Sequence, residues 1–269
     1  MKRRPIVTLL SDFGLRDPYV AEMKAVVLSI CLDATIIDIS HEIGKYDVRM
    51  GAYTLARAAS FFPKGTIHVA VVDPGVGTER RPIIAEAKRG FYVGPDNGLL
   101  MLSAIKEGVA RVYEITNREY MLRAVSKTFH GRDVFCPAAA HLAKGVEPSE
   151  FGPEIDNPVV PSFAQPLVRD REISCEVVHV DGFGNVVTNV AEEHLKAVGA
   201  REGEQLLVAL KGADVPLKLC SAYGEVPAAS PLSVVGSGGF LEVAVNGGNA
   251  AQKYGARAGD KIIIKPKHE

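Results

Sequence analysis

Ile67-His68-Val69-Ala70-Val71-Val72-Asp73-Pro74-Gly75-Val76-Gly77-Thr78-Glu79-Arg80-Arg81 is the stretch that decides the fold. Its first six residues are apolar except for His68 and read as a buried strand. The strand runs out on a carboxylate, Asp73. Pro74 and two glycines then force a tight loop that brings backbone close to its neighbours. Two arginines follow at once. A charged side chain at the carboxyl end of a buried strand, beside a glycine loop, is where open α/β sheets hold their ligands.

The same arrangement occurs earlier, where the apolar run 6–10 ends on Ser11-Asp12-Phe13-Gly14. A third piece, Thr128-Phe129-His130-Gly131-Arg132-Asp133, precedes an apolar helical pattern. Around them, residues 1–150 alternate between strand patterns (6–10, 35–39, 67–72, 83–87, 91–93 and 111–115) and helical ones. Asp17 and Pro18, as N-cap and N1, open a helix running to about Ile30. Asp47 caps a second, which Pro63 stops after Phe62. Further helices are expected over 97–107, ended by Gly108, and over 133–144, ended by Gly145. Such alternation predicts an α/β N-terminal domain with a largely parallel sheet. Pro148, Pro153, Pro158, Pro161 and Pro166 then crowd one short segment, so 151–171 is expected to be a proline-rich linker over the surface. Residues 172–269 form a second domain, mostly of short strands (174–180, 186–190, 206–210, 215–219, 232–235, 240–245 and 261–264), with helical patterns only at 191–198 and 249–254. By spacing this is a small β-barrel or a sandwich.

Composition narrows the function classes. The chain has 269 residues, 47% of them hydrophobic, which suffices for one large or two modest domains. With 31 basic and 32 acidic residues the net charge is −1, and no basic stripe points to nucleic acid. Cys31, Cys136, Cys175 and Cys220 lie far apart without a C-x-x-C, which fits small buried hydrophobes in a reducing compartment. Behind Met1-Lys2-Arg3-Arg4 the apolar run ends at Ser11-Asp12, too short for a signal h-region or a membrane span. A soluble cytoplasmic protein is expected.

Each chemical motif has a plainer alternative. Asp12 can accept from a ribose diol, or it can be an Asx-turn or capping aspartate. The turn lacks G-x-G-x-x-G, which argues against a dinucleotide pyrophosphate. Asp73, Arg80 and His130 are the candidates for chemistry. A histidine can take a proton near neutral pH, a carboxylate can orient it or a water, and an arginine can keep that carboxylate ionised. The alternative is an ion pair plus a capping histidine. Arg81 is the neighbour easiest to mistake for Arg80. Asp181-Gly182-Phe183-Gly184-Asn185 joins two strands as a turn. A Phe between glycines, beside an Asn amide, can stack on and hydrogen-bond a base. Gly236-Ser237-Gly238-Gly239-Phe240 interrupts a strand and Asn246-Gly247-Gly248-Asn249 ends one, marking bulges or close ligand approach. The remaining histidines show neither H-x-x-x-H nor H-E-x-x-H spacing, so no metal site is assigned.

Taken in order, these motifs together with Gly94-Pro95-Asp96-Asn97-Gly98-Leu99-Leu100 resemble one family over nearly the whole chain. The sequence is similar to the S-adenosylmethionine (SAM) hydrolases, or SAM hydroxide adenosyltransferases, relatives of the fluorinases and chlorinases. The resemblance implies an α/β N-terminal domain followed by a small β-barrel C-terminal domain. It further implies a homotrimer that binds SAM between the N-domain of one subunit and the C-domain of the next. The family's catalytic Asp-Arg-His set carries over to Asp73, Arg80 and His130, and its ribose-binding aspartate to Asp12. Methionine-end contacts fall on Asp17, Asp181 and Ser237. Adenine contacts fall on Asn185, with Phe183 beside it and Asn246 nearby.

The halogenase branch has Tyr in place of Asp73 and Tyr-Ser in place of His130-Gly131, so a halide pocket is not expected. Where the fluorinase pattern has an arginine after the serine, this chain has Gly238. The implied reaction is attack of water on C5′ of SAM, giving adenosine and L-methionine, with SAM as substrate and neither cofactor nor metal. Its leaving group is a neutral thioether, so no general acid is required. Three rival readings are a halide-dependent adenosyltransferase, a non-catalytic SAM or adenosine sensor, and a metal-dependent hydrolase with Asp12, Asp73 and His130 as ligands.

Overall fold

The computed structural model describes residues 4–267. The chain divides into two units, Met1–Pro161 and Ser162–Glu269. In chain order the first unit holds β1 (Ile6–Ser11), α1 (Tyr19–Ile30), β2 (Thr35–Ser40), α2 (Val48–Ala59), β3 (Thr66–Val71), β4 (Pro82–Ala87), β5 (Gly90–Pro95), α3 (Met101–Lys106), β6 (Val109–Glu114) and α4 (Cys136–Ala143). Its sheet has the order β2-β1-β3-β5-β4-β6. The pairs β1–β2, β1–β3 and β3–β5 are parallel. Only β4 runs against its neighbours, β5 and β6. Just Lys88 and Arg89 separate β4 from β5, and so short a link makes a hairpin rather than a parallel crossover.

β3 is buried on both faces, which is why its sequence is a continuous apolar run instead of an alternating one. Val69 and Val71 pack into a core with Leu9, Met23 and Phe135, whereas Ala70 and Val72 pack into another with Leu10, Leu55 and Leu99. His68 is a core residue of this strand. Its Nδ1 lies 2.8 Å from Thr8 Oγ1, and its ring stacks on Tyr92 at 5.0 Å. Burial holds its pKa down at about 4.

Several helix boundaries differ from the sequence expectation. Asp17 does not cap α1: the helix starts later, with Pro18 at the N-cap position, and Asp17 is exposed. Proline fixes φ near the helical value, so the helix can begin beside it without a side-chain cap. Asp47 does cap α2, accepting from Met50 N at 2.9 Å. α3 begins at Met101 rather than at Asn97, because Gly98 sits at φ +92°, outside the helical region. In the fourth helix, a π-helical turn, Gly131–Phe135, precedes α4, so the helical stretch starts ahead of Asp133.

Ser162 onward forms β7 (Leu167–Arg169), β8 (Glu172–Val180), β9 (Val186–Ala191), α5 (Glu192–Ala197), β10 (Gln205–Leu210), β11 (Ala213–Cys220), β12 (Pro231–Val235), β13 (Phe240–Val245), α6 (Ala250–Tyr254) and β14 (Lys261–Pro266). The order is β14-β10-β11-β12-β13-β9-β8-β7, and β14 also pairs with β8. That pairing closes seven strands into a barrel, with β7 laid against the start of β8. Closure leaves those strands without a free edge. Alternate residues such as Ile173, Cys175 and Val177, with Leu206 and Val208, fill the interior. Gly236 to Gly239 do not interrupt a strand: they are the turn of the β12–β13 hairpin, with Gly239 N donating to Gly236 O at 2.9 Å.

Candidate active site

The carboxyl ends of β1 and β3 open on a cavity of about 470 Å³ in the first unit. Asp73 follows β3 and lines it. Arg80 Nε donates to Asp73 Oδ1 at 3.2 Å, and Arg80 Nη2 donates to Oδ2. Nη2 also lies 3.1 Å from His130 Nδ1. A guanidinium has no acceptor, so Nδ1 must accept and the neutral ring carries its proton on Nε2. Asp73 and Arg80 are both more than nine-tenths buried. Arg80 Nη1, also buried, has no partner among the described residues. The three residues singled out as a catalytic set therefore form one hydrogen-bonded chain. His130 stands at the N-cap of the π-helical turn, but its side chain makes no capping bond among the described residues. Burial first, and then the Arg80 cation, push its pKa below the ordinary histidine value.

Local sequence explains how two distant loops bring this set together. Gly77 has φ +75°, and a Cβ there would lie 2.2 Å from Lys127 O. Only glycine lets the Asp73–Arg80 loop lie flush on the backbone that leads into Thr128-Phe129-His130. On the other side Asp133 is fully buried, accepting from Ser126 N at 2.7 Å and from Arg132 Nε at 2.6 Å. Arg132 reaches on to Glu22 Oε2 at 2.7 Å and lies over the Phe129 ring at 5.0 Å. π-Helical turns concentrate at functional sites because they re-aim one side chain out of the regular helix.

Asp12 follows β1 and also lines the cavity. It is buried, and Oδ2 accepts from Tyr46 N at 2.9 Å, while Lys45 Nζ donates to its carbonyl. Asp12 thus holds the 44–46 loop and still presents a carboxylate to the cavity. Phe13, Tyr19 and Phe129 form a wall of three rings with centroids 5.2 to 5.6 Å apart. Sequence reasoning missed Tyr19, Glu22, Lys45, Tyr46, Phe129 and Arg132 as lining residues. The signal for Lys45 and Tyr46 was available: they lie in the loop after a parallel strand, on the side where Asp12 and Asp73 lie. Asp17 is exposed and is not among the lining residues. Arg81 faces elsewhere, onto Asp96 and Asn157.

The other candidates lie in the second unit. Asp181 is committed to its own turn: Oδ1 accepts from Phe183 N and Asn185 N, each at 2.9 Å, and Oδ2 accepts from Asn185 Nδ2 at 3.0 Å. That leaves Phe183 81% exposed at the tip, with Asn185 buried behind it. Ser237 is exposed on the β12–β13 turn. Asn246 Nδ2 donates to Val226 O at 2.8 Å and steadies the neighbouring loop. Among the described residues no group of three or more His, Cys, Asp or Glu is placed to hold a metal ion. No helix among them is long and apolar enough to cross a membrane.

A mostly parallel sheet with its polar set at the strand ends, followed by a closed seven-stranded barrel, defines a two-unit protein with an enzyme-like site. The chain belongs to the SAM hydroxide adenosyltransferase family: that family's N-terminal domain matches residues 7–152 and its C-terminal domain residues 175–263. It is 40% identical to a Thermus thermophilus protein named (R)-S-adenosyl-L-methionine hydrolase, covering 97% of this chain and 99% of that one. A Nocardia brasiliensis protein named fluorinase is 31% identical, covering 98% and 97%. Among solved structures, an uncharacterized conserved protein from Thermotoga maritima superposes with a TM-score of 0.82 at 38% identity, covering 96% and 99%.

Proposed function

We propose that this protein hydrolyses S-adenosyl-L-methionine at C5′, releasing adenosine and L-methionine, and that its substrate is the (R) epimer at sulfur. The observation that carries the reading is the Asp73–Arg80–His130 hydrogen-bonded set beside a cavity that also holds Asp12. Four relatives at 35 to 40% identity bear the name (R)-S-adenosyl-L-methionine hydrolase. SAM is a sulfonium cation. Asp12, Glu22 and Asp73 line the cavity, and the Phe13–Tyr19–Phe129 wall offers ring faces that favour a cation.

A water in line with the C5′–S bond needs orientation and a proton acceptor. Arg80 occupies His130 Nδ1, so His130 acts as a donor through Nε2–H and orients the water. Asp73 keeps lone pairs beyond the two that Arg80 uses and accepts the water's proton. Positioning of this kind supplies on the order of 7–11 kcal/mol of a barrier. The departing methionine is a neutral thioether and takes no proton. Neither metal nor cofactor enters this scheme. Asp12 receives the ribose hydroxyls, Asn185 meets the adenine with Phe183 beside it and Asn246 nearby, and Asp17, Asp181 and Ser237 form the methionine-end set. The assembly is a homotrimer in which the first unit of one copy and the second unit of another share each substrate.

Incubation with the separated (R) and (S) epimers, followed by chromatography for adenosine, tests the reading. Adenosine is expected from the (R) epimer, unchanged by EDTA or by added chloride. Adenosine from neither epimer sinks the hydrolase reading. A halogenated nucleoside formed with chloride would support the halogenase reading, which Asp73 opposes because a halide next to a carboxylate is repelled.

A further inference from the structure

The Gly94–Leu100 motif has no place in the chemistry above, yet it lies at the end of β5, beside the end of β3 that carries Asp73. Its two central residues grip the catalytic loop at both ends. Asn97 Nδ2 donates to Val72 O at 2.9 Å, the carbonyl immediately before Asp73. Asn97 Oδ1 accepts from Leu99 N at 3.1 Å, which sets the rotamer. At the other end, Asp96 Oδ2 accepts from Arg81 Nε at 2.9 Å and from Arg81 Nη2 at 2.5 Å, and Arg81 directly follows Arg80. Asp96 N donates to Arg81 O at 2.9 Å. Asp96 Oδ1 in turn accepts from Val159 N at 2.7 Å, so both oxygens of this buried carboxylate are engaged. Two adjacent arginines thus have opposite duties: Arg80 faces Asp73 and His130, and Arg81 anchors the loop to β5.

We propose that Asn97 and Asp96 are positioning residues for the reaction, acting as a clamp that sets the register of the Asp73–Arg80 loop against His130. The proposal rests on the hydrolase reading for its kinetic consequence only. The loop runs between β3 and β4, both paired with β5, and is further held by its own turns and by the Gly77 contact. The clamp adds side-chain bonds at the two residues that flank the Asp73–Arg80 segment. Pinning both ends to one neighbouring strand holds the guanidinium where it meets the carboxylate and the imidazole together. A misplacement of about 1 Å in such a set costs on the order of 10²-fold in rate.

Asn97→Asp is the discriminating variant. It keeps the acceptor for Leu99 N, loses the donor to Val72 O and sets a carboxylate against that carbonyl. Asn117→Asp is the control, since Asn117 makes the same two kinds of bond in the same unit, to Glu119 N at 3.1 Å and Glu150 O at 2.9 Å, away from the cavity. The expected result is a fall in kcat on the order of 10²-fold for Asn97→Asp. Adenosine Kd should stay within about threefold, and Asn117→Asp should keep wild-type kcat while losing similar thermal stability. Two-dimensional ¹⁵N NMR of the His130 ring should show a single Nε2–H tautomer in the wild type and a mixture in Asn97→Asp. An Asn97→Asp protein with wild-type kcat, or one whose tautomer matches the wild type, overturns the clamp. If the wild type itself releases no adenosine, the hydrolase reading fails and the tautomer measurement alone still judges the clamp.

Discussion

Arg80 spends its guanidinium on two partners of different kinds, an anion and a neutral ring, and this fixes what each can do. Asp73→Asn keeps the shape but removes the proton acceptor, so kcat should fall by at least about 10²-fold with adenosine Kd nearly unchanged. Parallel loss of binding would reassign Asp73 to substrate recognition. His130 must be neutral to accept from Arg80. Burial and the Arg80 cation both hold its pKa below the usual 6.5, so the protonated form builds up only at more acidic pH. The acid limb of kcat against pH is therefore expected below 6.5, and a limb above it would contradict the geometry. Asp12→Asn retains an acceptor for Tyr46 N but gives up the charge offered to a diol. Adenosine affinity should weaken by about 1.5–3 kcal/mol, read by calorimetry.

Elements explain why these side chains meet at all. β3 delivers Asp73 because it is apolar on both faces and sits mid-sheet, and the same burial makes His68 a liability in acid. Its pKa is about 4 in the fold against 6.5 when unfolded, so the unfolded chain binds the extra proton first. The sign follows: stability is unaffected above pH 6.5 and falls as pH drops from 6.5 towards 4. The full loss is about 3 kcal/mol by linkage, and His68→Gln should flatten that part of a pH series of chemical denaturation. Gly77 belongs to this scale too. An alanine there would take a strained φ and strike Lys127 O, so Gly77→Ala should cost about 2 kcal/mol in stability and reduce kcat through His130. An unchanged melting temperature would show that the two loops are not in fact packed together.

For the whole molecule, the proposed trimer makes the site a property of the assembly. Activity should fall on dilution faster than protein concentration, as subunits separate. Mixing Asp73→Ala with Asn185→Ala after dissociation and reassembly should restore activity, because mixed oligomers regain sites with both halves intact. If mixed oligomers form and remain inactive, each site is completed within one chain.

The alternation of apolar runs with capped helices, and the switch to short strands after the prolines, were enough to read a largely parallel sheet and a strand-rich second unit from the residues alone, though not the antiparallel β4. Those patterns record which faces are buried, and burial is a local property of a strand or helix. Asp12, Asp73 and His130 could be singled out as candidates by their places at strand ends and before a helix. Each also had a plainer structural reading as a turn, ion-pair or capping residue, and it was their joint order in the chain that carried the family resemblance. Other features needed the fold. Barrel closure rests on β14 returning to β8, a pairing between distant segments that leaves no local pattern. Arg80 and Arg81 are indistinguishable by local pattern; the family resemblance singled out Arg80, and the fold gives the two different partners, Asp73 and His130 for Arg80 and Asp96 for Arg81. The ring wall of Phe13, Tyr19 and Phe129, and the grip of Asn97 on Val72, join residues far apart in sequence. Such contacts depend on distances between strand ends, and those are set by how the sheet packs.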